Sequence, residues 1–522
     1  MGMVALRRRI GSAYVVVCHQ YGSVSKFAQE QGISRQAVYD EAKRVTAALE
    51  GADARQKIQE LQAKVAALEQ QVAELQGRLE VAVVIDEEKQ AEVAGVGQAC
   101  GVTLPQCHTL LDVLIPGKPL SVASLGRRTQ DLGQKAGPLL AVCDEFAREK
   151  VRDAAADEIY VRDPVLMVVE QQSLCWMSGR LSDEVTGAVW SKELGLLPNL
   201  EQVARDGGLG LQKGVDDLNA QRQEKGQQPV LDQGDHFHAT RQGGVGLRRA
   251  EKQASKALAE AEKAQKELDE CSRQGQNRCG PAKHAGHAWR KAEQAMDTWG
   301  ARERAWQQSK DALPLITPEG DVNTRAKAEA VLAKTLPQLP DSDFAKSKRQ
   351  LQRPEMLNYL DRVETHLQAL PFPQEIKDAA VRQEALRRRP ELLQGENRQA
   401  AALRGVMLMC AVILAKAEQV GEQALEAVHE VFRRAYRASS LVECINSVLR
   451  MHQAQHRKMT QGLLDLKRLY WNCHTFRTGR RRGKAPYELL GVIWPEGLRW
   501  WDVLKLTPEQ LREKLSTATK SA

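Results

Sequence analysis

Three acidic residues occupy the ends of elements that the sequence predicts. Asp157 lies on a predicted β-strand, Asp206 ends another, and Glu443 lies on a helix near the C-terminus. Asn446 and Arg450 follow Glu443 at i+3 and i+7, so the three side chains share one helix face. Carboxylate oxygens are ligands that hard divalent cations prefer. Spacing alone leaves a second interpretation open, in which the three are surface acids at strand and helix ends.

A cluster of cysteine and histidine residues is a second candidate for chemistry. Cys271, Cys279, His284 and His287 fall within 17 residues and have the types that bind zinc. The separation of the two cysteines exceeds the about two to four residues usual for structural zinc sites. The spacing therefore favours a hairpin tip with incidental Cys and His, and zinc is the less favoured alternative.

The densest basic run lies near the C-terminus, in a glycine-containing loop. Its members are Arg477, Arg480, Arg481, Arg482 and Lys484. The types suit a clamp for phosphates, and a solvated tail is the alternative. The whole chain has 75 basic and 67 acidic residues, a net charge of +8, which is a modest indication of a polyanionic partner.

Short apolar runs predict the elements that must hold the acids. Residues 159–161, 164–170 and 173–178 predict three strands; a helix over 183–196 and a strand over 201–205 follow, then a helix from Gly207 and a strand near 229–231. This order is that of a ribonuclease H-like core. Glu158 is a poorer candidate than Asp157, because adjacent strand residues point to opposite faces.

The N-terminal 50 residues carry a helix-turn-helix pattern. Gly32 makes the predicted turn, and Ser34 caps a second helix over 35–45. The outward side chains of that helix suit a DNA recognition helix: Arg35, Gln36, Tyr39 and Lys43. An ordinary helical hairpin is the alternative.

A heptad pattern follows in the segment 51–90. Ile58, Val65, Val72 and Leu79 fall at a, and Leu61, Leu68, Leu75 and Ala82 at d. Largely β-branched a positions with Leu at d favour a parallel two-stranded coil and hence a homodimer, with an intramolecular hairpin as the alternative. Residues 91–150 resemble further helix-turn-helix units, which carry Arg127 and Arg128.

A length of 522 residues predicts about three or four domains. The segment 241–435 is predicted as a helical insertion between core parts 151–240 and 436–522, and it includes a long antiparallel hairpin. Its most apolar run, residues 405–416, is too short to span a bilayer and predicts a buried helix. No signal peptide is evident and the ten cysteines are scattered, so we expect a cytoplasmic protein without a membrane partner.

Several segments together are similar to bacterial insertion-sequence DDE transposases. They are 156–161, 164–170, 204–211, the run Ser440-Leu441-Val442-Glu443-x-x-Asn446-Ser447, 470–472 and 485–491, and they are spread over the core and the C-terminal segment. The Tyr-x-x-Arg-x-x-x-Glu-x-x-x-x-x-x-Lys signature of some relatives is incomplete: Tyr436 is in register, but Ser439 and Arg450 replace the Arg and the Lys.

The resemblance implies a mostly α protein with an α/β ribonuclease H-like core and the catalytic, metal-binding triad Asp157, Asp206 and Glu443. It implies two Mg²⁺ ions, with Mn²⁺ as a substitute, and double-stranded DNA as the partner in the bacterial nucleoid. Asp235 and His238 resemble an Asp/Cys-x-x-His element and, with Asn446 and Arg450, are expected to support the triad or position DNA. A catalytically silent, domesticated DNA-binding regulator and a coiled-coil scaffold are the alternatives.

Overall fold

The computed structural model describes residues 2–18, 20–81, 85–454 and 459–521. The chain divides into two compact units, Met1–Ile85 and Asp86–Ala522. It is mostly helical (70%) with a small mixed sheet of five strands among the described residues. The prediction of a mostly α protein with an α/β part is therefore confirmed.

The first unit contains three helices, α1 (Met3–Val17), α2 (Ser23–Gln31) and α3 (Arg35–Val81). The predicted turn is correct: Gly32 adopts the left-handed conformation with φ 63°, and the Ser34 hydroxyl accepts the Ala37 N–H at 3.1 Å. Helix α1 packs on α3, where the Arg8 guanidinium lies 2.8 Å from the carboxylate of Glu41.

Helix α3 is much longer than the sequence predicted. The predicted second helix ended at Val45, but α3 spans 47 residues from Arg35 to Val81 and joins the predicted recognition segment to the heptad segment. The intervening residues 46–57 are mostly good helix formers, and the single Gly51 costs only about 1 kcal/mol relative to alanine. The boundary expected near residue 50 therefore falls inside a helix.

The second unit begins with α4 (Glu87–Ala99), α5 (Leu104–Leu114) and α6 (Val122–Ala147), and the side chains of Thr103 and Ser121 cap α5 and α6. The strands are β1 (Asp153–Val161), β2 (Asp163–Glu170), β3 (Trp176–Leu181), β4 (Gln202–Arg205) and β5 (Leu231–Gly234). Their order is β3-β2-β1-β4-β5. Strand β2 is antiparallel to β1 and β3, and β1, β4 and β5 are parallel.

Helices α7 (Gly187–Gly195) and α8 (Leu209–Glu224) pack with α6 on one face of the sheet. Buried residues of α6, including Leu139 and Leu140, belong to the same hydrophobic core as Ala154 and Ala156 of β1. This differs from the expectation of a separate DNA-binding segment over 91–150, because the apolar face of α6 is needed to cover the sheet.

The predicted helical insertion follows β5. It comprises α9 (His236–Arg273), α10 (Cys279–Asp311), α11 (Arg325–Thr335), α12 (Asp341–Leu351), α13 (Asn358–Gln368), α14 (Gln374–Arg387), α15 (Arg398–Lys416) and α16 (Glu418–Arg433). Short 3-10 turns occur at Arg148–Lys150, Leu336–Gln338, Pro354–Leu357 and Pro390–Leu393. Helices α9 and α10 form the predicted antiparallel hairpin, with a seam of small residues: Ala257, Ala261, Ala264, Ala285, Ala288 and Ala292.

Helix α15 is not the buried helix that its composition predicted. One face packs through Leu403, Cys410 and Leu414, whereas Leu408 and Met409 are 68% and 65% exposed. Among the described residues it is the one helix with the length and apolarity to cross a bilayer, and 22% of its apolar window is buried. The prediction failed because a uniformly apolar helix does not reveal which of its faces has a packing partner.

The C-terminal part comprises α17 (Ser440–Ala454), α18 (Gln461–Cys473), α19 (Pro486–Leu489), α20 (Trp500–Val503) and α21 (Pro508–Ser521). Helix α18 is a separate element, because Thr460 caps it by accepting the Leu463 N–H at 3.3 Å. Helix α17 covers the second face of the sheet, where its Val442, Ile445 and Leu449 pack near Ala155 and Ile159.

Candidate functional site

The site begins where β1 extends past its parallel neighbour. The pairing of β1 with β4 ends at Ala156 and Arg205, so Asp157 and Glu158 lie beyond the end of β4. Asp206 is the first residue after β4, and its Oδ1 accepts the Gly208 N–H at 2.8 Å. The two strand ends therefore bring all three acids to one edge of the sheet.

Asp157, Glu158 and Asp206 form the one group of three potential metal ligands among the described residues. One ligand oxygen of each lies within 4.8 Å of the others. The expectation that Asp157 and Glu158 face opposite sides is confirmed. Asp157 contacts Asn446 of α17, whereas Glu158 Oε1 accepts the indole N–H of Trp190 of α7 at 3.1 Å. Both carboxylates nevertheless reach the same edge, although strand alternation had ranked Glu158 below Asp157.

Helix α17 brings Glu443, Asn446 and Arg450 to this edge on one face, as predicted. The Asn446 side-chain amide donates to Asp157 Oδ2 at 3.1 Å. Arg450 forms an ion pair with Glu443. Glu443 lies outside the group of three carboxylates, but it is near enough to Asp157 for its charge to affect ionisation there.

The electrostatics of this edge disfavour the ionised form of Asp157. Burial is the main cause that raises the pKa of Asp157 to about 7, and the charges of Asp206 and Glu443 raise it further, while nearby His238 opposes them. Burial and Asp206 also raise the pKa of Glu158. A bound cation would offset this concentration of negative charge.

The predicted Asp235 and His238 pair lies beside the acids. Asp235 is buried, and its Oδ2 accepts hydrogen bonds from His238 Nδ1 and from the Ser439 hydroxyl, each at 2.6 Å. The bond to Asp235 raises the pKa of His238, and the charges of Asp157 and Asp206 raise it as well. Asp235 also caps α9, so the start of the insertion is tied to the site.

Arg205 is a buried residue next to Asp206 that sequence reasoning missed. Its guanidinium contacts Asp232 of β5 at 2.5 and 2.7 Å and donates to the Asp206 carbonyl at 3.0 Å. Glu355 of the insertion lies 3.3 Å from the same guanidinium. Arg205 therefore fixes the backbone that follows β4, and an Arg directly before Asp206 at the end of a predicted strand was the available signal.

The all-oxygen composition of the site suits Mg²⁺ or Mn²⁺. A further observation agrees with this fit: Asn446 is 2% exposed, and its Oδ1 has no hydrogen-bond partner within the described ranges. A buried carbonyl oxygen normally has a partner, and a cation or a water molecule beside Asp157 would supply one.

The four candidate zinc residues, for which zinc was the less favoured interpretation, are not brought together. Cys279 begins α10, where it is exposed, as are His284 and His287, and Cys271 is half-buried on α9. In the part of the chain that the structure describes, no three of these side chains place ligand atoms within 4.8 Å of one another. The favoured interpretation, a hairpin tip with incidental Cys and His, agrees with this arrangement.

The predicted DNA-contacting residues are mostly on the surface. Arg35, Gln36, Tyr39 and Lys43 are exposed on the first unit, as predicted. On the second unit, the exposed members are Arg127, Arg128, Arg477, Arg480, Arg482 and Lys484. Some of the predicted residues also have intramolecular partners. Gln36 donates to Asp40 and Arg127 donates to the Ser124 hydroxyl, each at 3.2 Å. Arg128 pairs with Glu87 at 3.0 Å, and the half-buried Arg481 donates to the Gln172 carbonyl at 2.9 Å.

The heptad stripe of α3 is open along its described length. Ile58, Leu61, Val65, Leu68, Val72 and Leu75 are each 52% to 59% exposed. The side chain of Leu79 and all of Ala82 lie outside the described residues.

No known protein family, curated protein or solved structure matches this chain.

Proposed function

We propose that this chain is a DDE-type transposase, which cuts DNA at the ends of a mobile element and joins those ends to a target. The observation that carries the proposal is the convergence of Asp157, Asp206 and Glu443. They come from two strands and a helix, and a long helical insertion separates Glu443 from the two aspartates in sequence. A buried acid and two half-buried acids that gather at one sheet edge against mutual repulsion are typical of a cation-dependent site.

The topology of the sheet supports a ribonuclease H-like core. The strand order β3-β2-β1-β4-β5, with only β2 antiparallel, is the order expected for that fold. The insertion α9–α16 lies between β5 and the helix that carries Glu443, which is where this superfamily is expected to accept extra domains.

The side chains have distinct roles in the proposed reaction. Two divalent ions would activate a water or 3′-hydroxyl nucleophile and stabilise the leaving oxygen. Asp157 would bind both ions, and Asp206 and Glu443 would each hold one. Asn446 orients Asp157 through its amide, and Arg450 orients Glu443. Asp235 fixes the Nδ1 side of the His238 ring, which leaves Nε2 to position DNA or a water molecule.

Exposed basic residues give the proposed enzyme two surfaces for double-stranded DNA. The helix-turn-helix of the first unit offers Arg35, Gln36, Tyr39 and Lys43, types that contact base edges and phosphates. The loop after α18 offers Arg477, Arg480, Arg482 and Lys484 for phosphates, while Arg481 fastens that loop to the turn after β2.

A second copy of the chain is the proposed partner of the heptad stripe. Six described a and d side chains are more than half exposed, so in this structure no intramolecular hairpin covers them. An apolar stripe of period 3.5 is stabilised when it packs against an identical stripe. We therefore infer a homodimer joined at least partly by α3.

The function is tested by Mg²⁺- or Mn²⁺-dependent cleavage of DNA ends taken from the sequence that flanks the gene. Wild type should cut them, and Asp157→Asn should bind the same DNA but lose cleavage by about a thousandfold or more. Asp183→Asn, which alters an exposed acid outside the site, is the matched control and should retain activity. If wild type binds the ends but does not cleave them, the result would instead indicate a silent regulator. The absence of both binding and cleavage would refute the assignment.

A further inference from the structure

We propose that Glu158 is a metal-binding carboxylate of this site, so that the cation-binding group is Asp157, Glu158 and Asp206 at the sheet edge, together with Glu443 from α17. The inference rests on the proposed function, because it names a further ligand of the same metal centre. A triad of Asp157, Asp206 and Glu443 does not include this residue.

The end of β4 explains how neighbouring residues on one strand can bind at a single place. Asp157 and Glu158 start toward opposite faces of β1, and a paired neighbour would keep them apart. Strand β4 stops at Arg205, so no backbone from that side separates the two side chains. Asp206 lies in the resulting gap, and one of its carboxylate oxygens lies within 4.8 Å of an oxygen of each of the two.

Gly208 marks the space between Asp206 and Glu158. A Cβ atom added to Gly208 would lie 3.0 Å from Asp206 Oδ1 and 3.4 Å from Glu158 Oε2. The two carboxylates therefore border one small volume, and it remains open because residue 208 has no side chain. The Gly208 N–H also donates to Asp206 Oδ1, which turns that carboxylate toward the same volume.

Trp190 holds the Glu158 carboxylate in place. The tryptophan is fully buried, and its indole N–H donates to Oε1 at 3.1 Å. A hydrogen bond from a fixed donor orients a ligating carboxylate, as outer-shell partners commonly do in metal sites. This hydrogen bond occupies one lone pair of Oε1, and the other lone pairs of the carboxylate remain for binding a cation.

Asn446 supplies an independent indication of a ligand beside these acids. Its Nδ2 donates to Asp157 Oδ2, while the Oδ1 of the same buried amide has no partner within the described residues. That amide faces the group at Asp157, so the unpartnered oxygen lies where a cation or its bound water would satisfy it. A water molecule without a cation is the other partner that would satisfy this oxygen.

The competing interpretation is that Glu158 serves only to accept the Trp190 N–H. The two interpretations differ in what they predict for cation affinity. If Glu158 is structural, Glu158→Gln keeps an acceptor for Trp190 and leaves cation binding unchanged. If Glu158 is a ligand, the same substitution removes a charge from the centre and weakens binding, whereas Trp190→Phe, which keeps the carboxylate, has a smaller effect.

The test is Mn²⁺ binding to the full chain without DNA, followed by electron paramagnetic resonance of free Mn²⁺. We expect Glu158→Gln to weaken binding by about tenfold or more, the scale of effects on metal affinity at such centres. Glu184→Gln, the same change at an exposed glutamate outside the site, should bind like wild type. Circular dichroism melting with a chelator checks the fold of each variant. Glu158→Asp, which keeps the charge but shortens the side chain, should also weaken Mn²⁺ binding. It replaces Glu158→Gln as the test variant if the Gln variant unfolds.

The possible outcomes separate this inference from the proposed function. If Asp157→Asn and Asp206→Asn weaken Mn²⁺ binding but Glu158→Gln and Glu158→Asp do not, Glu158 is not a ligand and the transposase proposal stands. If wild type binds no Mn²⁺ at millimolar concentration, both proposals fail. Weakened binding in the two Glu158 variants and unchanged binding in Glu184→Gln would support the inference.

Discussion

The side-chain amide of Asn446 donates to Asp157 Oδ2 at 3.1 Å and so joins the helix that carries Glu443 to the central strand of the sheet. Three residues earlier on the same helix, Glu443 lies close to that strand, and Val442, Ile445 and Leu449 pack on the sheet face beside it. The relative positions of Glu443 and Asp157 are therefore set by direct contacts, although the whole insertion separates them in sequence.

Asp157 should make the stability of the cation-free protein depend on pH. Its pKa of about 7 in the folded state exceeds its ordinary value near 3.8, so the folded state binds the proton more tightly. Lowering the pH from about 8 to about 5 should therefore raise the free energy of unfolding, by at most about 3 kcal/mol from this group. Urea unfolding with a chelator, measured across that range, checks the sign.

The matched variant for this prediction is Asp157→Asn, which cannot ionise. The difference in stability between Asp157→Asn and wild type should be largest at alkaline pH and shrink toward about pH 5. Saturating Mg²⁺ should also reduce it, since a cation stabilises the ionised wild-type carboxylate. A difference that stays constant with pH would contradict the raised pKa.

Arg205 should be among the most sensitive positions of the core. Arg205→Met leaves Asp232 without its buried partner, and breaking a buried ion pair from one side costs about 3–5 kcal/mol. Arg152→Gln removes a half-exposed partner of Glu201 at 3.5 Å and should cost less than about 1 kcal/mol. Chemical unfolding followed by circular dichroism measures both. Adding Asp232→Asn to Arg205→Met should restore part of the loss, and failure to do so would argue against the pair as the cause.

The open heptad stripe predicts the oligomeric state. Leu68→Glu places a charge at a d position and should shift the protein toward monomer, because a buried charge without a partner disfavours the packed coil. Gln70→Glu introduces the same side chain at an outward position and should leave the mass unchanged. Size-exclusion chromatography with light scattering reports the mass. Equal behaviour of the two variants would refute dimerisation through α3.

Close packing of α6 on α18 predicts opposite effects for one substitution at two glycines. A Cβ atom at Gly133 would lie 2.7 Å from the backbone carbonyl carbon of Gly462, so Gly133→Ala should force the helices apart and cost about 1–3 kcal/mol. A Cβ atom at Gly405 of α15 meets nothing within 4 Å, so Gly405→Ala should stabilise by up to about 1 kcal/mol. Thermal melting distinguishes the two, and equal shifts would contradict the packing.

Local patterns in the sequence predicted the strands, the turn at Gly32 and the hairpin of α9 and α10. Each is determined by neighbouring residues: a run of apolar side chains, a glycine with positive φ, or a helical segment rich in alanine, lysine and glutamate. The same kind of pattern placed Asp157 on a strand and Asp206 at the end of another.

The errors arose where a distant partner decides the outcome. Glu158 was set aside on strand alternation, and only the early end of β4 lets it reach Asp206. The exposed face of α15 and the packing of α6 on the sheet depend on tertiary neighbours that no local window contains. Helix α3 continues past Val45 because the low helix propensity of the single Gly51 is not enough to end a helix.

The uninterrupted course of α3 fixes the rotational phase between the exposed side chains of Arg35, Gln36, Tyr39 and Lys43 and its heptad stripe. An α-helix turns about 100° and rises about 1.5 Å per residue, so α3 is a rod about 70 Å long. One residue inserted between Val45 and Ile58 would swing the two surfaces about 100° apart. Seven would return them to within about 20° of the original phase while lengthening the rod by about 10 Å. A rotation of one end of α3 about the helix axis is therefore transmitted to its other end.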